Sequence, residues 1–188
     1  MTSTALRRGP LRDSTPDAVA SDALSPTRLR QAFGSFPSGV VAACAEVDGV
    51  RVGMAISSFV SVSLDPPLAA VFVQSTSTTW PVLRRAASLG ISVLGVEHES
   101  HVAALSARTG DRFASLRTST QGSGAVLVED AAAWIEVEVD SEAPAGDHLV
   151  VMLRIVALST RPDVEPLVYH RSRLRSLRAA PEVDARQR

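Results

Sequence analysis

Residues 53–68, GMAISSFVSVSLDPPL, alternate in polarity as a β-strand does, yet they carry hydroxyls where half-buried strands usually place apolar side chains. Asp65-Pro66-Pro67 ends the pattern and predicts an extended turn, because proline lacks a backbone donor and restricts the preceding residue to extended conformations. Burying a hydroxyl without a hydrogen-bond partner is costly. Three interpretations therefore stay open: the serines lie on a solvated face, neighbouring backbone satisfies them, or a polar ligand does.

Strand patterns continue on both sides of this stretch. Residues 40–47 and 50–59 flank Asp48-Gly49, a dipeptide typical of two-residue hairpin turns. Residues 68–74 are almost continuously apolar, which predicts a strand buried on both faces. Further strands are expected at 91–96, 133–139, 149–158 and 166–169. About six strands with few short helices predict a mainly β fold, a Greek-key or closed β-barrel, rather than a doubly wound sheet.

Helix signals are few. Ser25-Pro26 opens a helix, with Ser25 as N-cap and Pro26 in the first helical position. Its apolar face is predicted to consist of Leu29, Ala32, Phe33 and Phe36. Pro37-Ser38-Gly39 is expected to end it. Shorter helices are predicted at 80–87 and 101–108, a loop at 110–113, a flexible connection at 122–124, a loop at 143–147 and a frayed basic segment after residue 169.

Composition suits one globular domain, since 45% of the 188 residues are hydrophobic. We expect residues 1–24 to form a disordered arm, 25–178 the domain and 179–188 a flexible tail. A net charge of −1 gives no reason to expect nucleic acid or a membrane surface as partner. There is no long apolar run, no hydrophobic leader segment and only one cysteine, Cys44. We therefore predict a cytoplasmic protein without disulfides.

Several classes of site lack their motifs. No GxGxxG follows a strand and no GxxxxGK[ST] is present, so neither a Rossmann nor a P-loop nucleotide site is expected. His98 and His101 have a spacing that suits a metal, but no further cysteine or histidine lies nearby. A solvated helix start is the favoured interpretation, and no metal is predicted. Asp147-His148 suggests a hydrolytic triad, but no GxSxG serine accompanies it.

Three polar turns interrupt otherwise apolar elements. They are Pro37-Ser38-Gly39, Ala55-Ile56-Ser57-Ser58 and Ser75-Thr76-Ser77-Thr78-Thr79. The third precedes a predicted helix, where free backbone N–H groups and hydroxyls suit a phosphate. Each turn alone is ordinary, but together they outline a pocket for a phosphorylated aromatic ligand.

The motifs and their order along the chain resemble those of the flavin reductase family with the FMN-binding split-barrel fold. Its members are the small reductase partners of two-component flavin monooxygenases. The resemblance extends over about residues 29–177, and several motifs in the right order are more specific than any one of them. The matching stretches are 36–40, 53–68, 77–80, 110–113, 133–136, 146–148 and 166–171.

The resemblance implies a role for each matching segment. Ser57 and Ser58, with Met54, Ala55 and Ile56, are expected to contact the isoalloxazine edge and the ribityl chain. The other flavin contacts are expected at Pro37, Ser38 and Gly39 beside the flavin, and at Ser75, Ser77, Thr78, Thr79 and Trp80 around its phosphate. Gly146, Asp147 and His148 are expected on the nicotinamide side, with His148 orienting the nicotinamide.

Two positions depart from the family pattern. Ala55 stands where members usually carry threonine, which removes one hydroxyl contact to the flavin. Leu174 stands where an aromatic residue is common, which changes the lid over the nicotinamide. Tight retention of flavin is therefore less expected here than in the family at large.

The implied activity is that of an NAD(P)H:flavin oxidoreductase. It would reduce FMN or FAD by hydride transfer from NADH or NADPH and supply reduced flavin to a partner monooxygenase. Two alternatives are a non-catalytic flavin-binding split-barrel protein and an FMN-dependent oxidase of another small substrate. The resemblance also implies a homodimer with each flavin near the interface, and the apolar strands 68–73 and 133–139 are the predicted contacts.

Overall fold

The computed structural model describes residues 24–177, which form short helices around a large antiparallel sheet. The helices are α1 (Pro26–Phe33), α2 (Trp80–Leu83) and α3 (Glu99–Ser106). The strands are β1 (Ser38–Gly39), β2 (Val41–Val47), β3 (Val50–Ile56), β4 (Val60–Leu64), β5 (Pro67–Gln74), β6 (Leu89–Val93), β7 (Thr118–Thr120), β8 (Val126–Val128), β9 (Ala133–Ala145), β10 (His148–Thr160), β11 (Leu167–His170) and β12 (Arg173–Ser176).

Seven strands form one sheet in the order β3-β2-β6-β9-β10-β5-β4. The sheet curls around an apolar interior to which six of its strands and α2 contribute. Its buried members include Val41, Ile56, Val71, Leu83, Ile91, Val137 and Leu153. Two smaller sheets, β1-β11-β12 and β7-β8, complete the fold. The prediction of a mainly β architecture is confirmed.

Strand β2 separates this interior from a second apolar cluster. Val41 and Ala43 face the first cluster, whereas Ala42 and Cys44 face the second together with Leu105 of α3. This follows from the period of two in a strand. Burial raises the pKa of the Cys44 thiol to about 12, so Cys44 is a core residue and not a nucleophile.

Two local sequence predictions are confirmed. Asp48 and Gly49 form the β2–β3 turn with φ angles of 53° and 75°, which a two-residue hairpin turn requires. Asp65-Pro66-Pro67 reverses the chain so that β5 pairs antiparallel with β4. The expected burial of residues 68–74 on both faces is wrong at Phe72, which is 40% exposed on the outer face of β5.

The strands are more numerous and longer than the sequence predicts. The segment 122–124 is a tight turn between β7 and β8, not a flexible connection. The predicted loop 143–147 is shorter, because β9 and β10 pair as far as Ala145 and His148 and leave only Gly146-Asp147 as the turn. The predicted frayed segment contains β12, which pairs with β11. These short or polar strands lack the apolar alternation by which strands are recognised.

The helices also differ from their predicted bounds. Helix α1 ends at Phe33, before Pro37, and within residues 24–177 its predicted apolar face is largely uncovered, since Leu29 is half-buried but Phe33 and Phe36 are 71% and 77% exposed. Helix α2 is half its predicted length, and α3 begins at Glu99 after a 3₁₀ turn at Val96–His98. Within the described residues, no helix is long and apolar enough to cross a membrane. The predicted arm and tail lie almost entirely outside those residues.

Candidate flavin site

One cleft of about 510 Å³ brings together several predicted site residues. The end of β3, the β5–α2 loop, the end of α3 and the first residue of β10 surround it. Its lining includes the predicted Met54, Ala55, Ile56, Ser57, Ser58, Ser77, Thr78, Thr79 and His148. It also includes residues to which no flavin or nicotinamide contact was assigned from the sequence, namely Phe72, Val73, Gln74, Thr76, Leu105, Ser106, Arg108 and Arg112.

The remaining predicted site residues do not line the cleft. Ser38 and Gly39 pair with Tyr169 and Val168 in the β1–β11 ladder, next to Pro37. Ser75 donates its backbone N–H to the carbonyl of Asp147 at 2.9 Å, which joins the β5–α2 loop to the Gly146-Asp147 turn. Trp80 is buried beneath the loop.

The two adjacent serines at the end of β3 differ in their contacts. The Ser58 hydroxyl donates to the Phe72 carbonyl at 2.9 Å and accepts from the Phe72 backbone N–H at 3.0 Å. Ser58 therefore satisfies its hydroxyl with neighbouring backbone and fixes β3 to β5. Ser57 is exposed in the cleft. Ser58 thus has a structural role, and Ser57 is accessible to a ligand.

The β5–α2 loop presents several hydroxyls to one end of the cleft. Ser77 accepts a hydrogen bond from the Trp80 backbone N–H at 3.1 Å, which orders the last turn of the loop. Thr76 and Thr78 are exposed and line the cleft. Hydroxyls and backbone N–H groups of such a loop suit phosphate oxygens.

Arg112 holds this loop to β3. Its Nη1 donates to the Gly53 carbonyl at 2.6 Å and to Thr79 Oγ1 at 2.8 Å. Phe113 beside it packs on Gly53, where a Cβ atom would lie 2.8 Å from the Phe113 ring and 2.5 Å from Cys44 Sγ. The only sequence signal for Arg112 was its place in the matching 110–113 stretch; nothing there indicated its approach to residues 79 and 53.

His148 stands at the start of β10 with its neighbour Asp147 as partner. Its Nδ1 lies 2.7 Å from Asp147 Oδ1, and its side chain is 34% exposed. The hydrogen bond from His148 holds the pKa of Asp147 below its ordinary value. Because an ionised carboxylate only accepts, Nδ1 donates and Nε2 is left for a ligand.

Glu142 ties α2 to the β9–β10 hairpin. Trp80 Nε1 donates to Glu142 Oε1 at 3.1 Å, and Arg84 Nη2 lies 3.1 Å from Glu142 Oε2. The Glu142 side chain is only 15% exposed. The β5–α2 loop, called the hydroxyl loop below, is therefore joined to the β9–β10 hairpin that contains His148. The contacts that join them are those of Glu142 and Asp147.

A smaller pocket of about 240 Å³ adjoins the cleft at Ala55, Ile56 and Ser57. Leu174 and Tyr169 line its other side. Both positions that depart from the family pattern, Ala55 and Leu174, thus face the same space.

The alternative chemistries find little support in the described residues. Both ring nitrogens of His98 engage backbone, Nδ1 accepting from the Gly95 N–H at 3.1 Å and Nε2 lying 2.9 Å from the Glu129 carbonyl. His98 is buried, so the prediction of a solvated helix start is wrong for it. Among residues 24–177, no group of three or more possible ligands is arranged to hold a metal. No serine hydroxyl in that part of the chain hydrogen-bonds to His148.

Comparison with known proteins decides the family. The sequence model of the flavin reductase like domain matches residues 33–178. The chain belongs to the flavin reductase family. The predicted family and its barrel fold are thereby confirmed.

Individual flavin reductases agree along most of the chain. A flavin reductase from Pseudomonas putida is 32% identical over 154 residues, which cover 81% of this chain and 91% of that protein. The reductase subunit HsaB of a flavin-dependent monooxygenase from Rhodococcus jostii is 33% identical, covering 82% of this chain and 79% of that protein. The structure is similar to the NADH:FAD oxidoreductase SgcE6 of Streptomyces globisporus, solved with NAD and FAD fragments, with a TM-score of 0.79, 28% identity and coverage of 87% and 98%.

Proposed function

We propose that this protein is an NAD(P)H-dependent flavin reductase. The observation that carries the proposal is the cleft itself, which places a hydroxyl-rich loop and Arg112 at one end and His148 beside it on a joined element. Its volume of about 510 Å³ lies within the range of small-ligand sites. Membership of the family supports the same conclusion.

The residues present fit the phosphate end of a flavin. Thr76, Ser77 and Thr78 line the cleft with hydroxyls, and Arg112 adds a positive charge that Thr79 and Gly53 hold in place. A preorganised arginine and several donors suit a phosphate dianion. We infer that this loop is the phosphate subsite.

The residues along β3 fit the ring end. Met54, Ala55 and Ile56 give the cleft an apolar side, and the Ser57 hydroxyl stands free at its edge. A flavin held along Met54, Ala55, Ile56 and Ser57 would supply a ring that can accept a hydride from a reduced nicotinamide. Hydrogen-bond donors at the end of β3 stabilise negative charge on the ring, while the apolar side excludes water. This chemistry needs alignment rather than a titrating acid or base.

His148 is inferred to position the nicotinamide. Asp147 holds Nδ1, so the imidazole presents Nε2 in a fixed orientation towards the cleft. A polar group so fixed suits the nicotinamide amide. His148 therefore orients the substrate without exchanging a proton with it.

We propose two partners for this reductase. The first is a flavin-dependent monooxygenase that takes up the reduced flavin, as the name of the Rhodococcus relative states for that protein. The second is another copy of this chain. On the outer side of β4 and β5, Val60 and Phe72 are 44% and 40% exposed, and Val60 pairs with Ala70, two residues from Phe72 on the same face. Phe72 also lines the cleft, so a dimer through this face would bring the partner close to the flavin.

Steady-state oxidation of NADH and NADPH tests the activity. Each is mixed with the protein, with FMN, FAD or no flavin added, and nicotinamide absorbance is followed. A reductase consumes nicotinamide only when flavin is present. Flavin binding without nicotinamide consumption would favour the non-catalytic alternative, and reduction of bound flavin by another substrate without NAD(P)H would favour the oxidase.

A further inference from the structure

The charges of the cleft are unbalanced. Arg108 and Arg112 both line it together with His148, and no carboxylate is among the described residues of the lining. A ligand that fills the cleft removes water from these groups. Because an unpaired charge is costly to desolvate, the ligand must bring anionic groups of its own.

The two arginines are placed differently. Arg112 is half-buried, and its Nη1 is fixed by Gly53 and Thr79 beside the hydroxyl loop. Arg108 is exposed, lies two residues beyond the end of α3, and has no hydrogen bond or ion pair within residues 24–177. It stands with Leu105 and Ser106 on the wall that α3 contributes.

One phosphate is therefore served by the loop and Arg112, which leaves Arg108 as a separate cationic position on another element. We infer that Arg108 binds the second phosphate of a dinucleotide. This is the phosphate of the pyrophosphate group that the mononucleotide lacks, in either FAD or NAD(P)H. This inference rests on the proposed function. It makes Arg108 a residue that distinguishes dinucleotides from mononucleotides rather than one that serves the reaction itself.

Paired ligands that differ by the AMP group, which carries the second phosphate, test the inference. Arg108→Ala and Arg108→Lys are compared with the unaltered protein for binding of FMN and FAD without nicotinamide, by flavin fluorescence. In a second arm, KM is measured for NADH and for reduced nicotinamide mononucleotide with FMN as acceptor. Arg175→Ala, at an exposed arginine of β12 outside the cleft, is the matched control.

We expect Arg108→Ala to weaken one dinucleotide about tenfold, the loss of one charge-assisted hydrogen bond, and to leave its mononucleotide within about twofold. Arg108→Lys should restore part of the affinity, and Arg175→Ala should change nothing. The arm that responds identifies the source of the pyrophosphate. Equal changes for dinucleotide and mononucleotide in both arms, or no change in either, would overturn the inference. Failure of the proposed function is distinct, because then the unaltered protein would not oxidise NADH with any flavin.

Discussion

At the residue scale, the two adjacent serines that follow β3 have different roles. The pattern of residues 53–68 indicated that hydroxyls would meet either backbone or a ligand, and both occur in adjacent residues. Ser58 bonds twice to Phe72, whereas Ser57 faces the cleft. The sequence does not show which serine does which, because Phe72 comes from another strand. The positions of Arg112 and Arg108 in the cleft were not predicted for the same reason, because most of their neighbours there are distant along the chain.

The two serines should respond oppositely to replacement by alanine. Ser58→Ala removes both hydrogen bonds to Phe72 and should lower the free energy of unfolding by about 1–3 kcal/mol. Ser57→Ala, at an exposed hydroxyl, should leave stability nearly unchanged but weaken flavin binding several-fold. Denaturant unfolding and flavin titration measure the two effects. The assignment fails if Ser57→Ala proves to be the destabilising change.

Asp147 gives a prediction for pH. Its pKa is lowered by the hydrogen bond from His148, so the pair stabilises the fold above the ordinary carboxyl pKa. That contribution is lost as the pH falls through the lowered pKa. Asp147→Asn should therefore lower the unfolding midpoint at pH values above the ordinary carboxyl pKa, and its difference from the unaltered protein should vanish at pH values below the lowered pKa of Asp147. A difference that persisted undiminished at that acid pH would contradict the pairing.

At the scale of elements, the turns that depend on their own residues were predicted, whereas the strands that depend on pairing with distant residues were not. Asp48-Gly49 and Asp65-Pro66-Pro67 carry their turn geometry in their own residues, and both turns form where predicted. Strands β7 and β12 are short and mostly polar, and β8 has only three residues, so that only pairing with neighbours marks them as strands. Contacts between elements, such as Glu142 with Trp80, leave no signal in a single sequence.

Glu142 is predicted to position the phosphate subsite through α2. Glu142→Ala leaves the buried Trp80 indole without its partner and loosens the loop that contains Ser77. The dissociation constant for FMN should then rise about tenfold, the equivalent of one hydrogen bond. Binding of riboflavin, which has no phosphate, should change much less.

Two further variants separate positioning from general damage to the fold. Glu142→Gln keeps an acceptor for the indole and should retain most of the FMN affinity. Glu138 lies on β9, as Glu142 does, and forms an exposed ion pair with Arg154 of β10. Glu138→Ala should leave FMN binding unchanged. An equal loss of FMN and riboflavin affinity in Glu142→Ala would indicate a structural role only.

At the scale of the whole molecule, the barrel was predicted from strand count and order, whereas the homodimer stays a prediction. Of the two predicted contact strands, β9 lies between β6 and β10 and its residues 133–139 are half-buried or buried, whereas β5 exposes Phe72 on its outer face. The edge strand β4 exposes Val60, Val62 and Leu64 as well. We therefore propose the outer face of β4 and β5 as the contact with a second copy.

A charge in that face should separate the copies. Val60→Arg is expected to convert a dimer into a monomer in light scattering at micromolar concentration, because an unpaired charge is disfavoured in an apolar interface. Val50→Arg, at an exposed valine of the β2–β3 turn, is the control and should remain dimeric. A monomer for the unaltered protein would refute the proposed homodimer.

The central claim is that the cleft aligns a reduced nicotinamide with a flavin. Its most direct test is to mix the purified protein anaerobically with NADH or NADPH and free FMN or FAD, and to follow the flavin absorbance. We predict that at least one of the four pairs bleaches much faster with the protein than without it. If no pair bleaches faster than in buffer alone, the protein is not a flavin reductase.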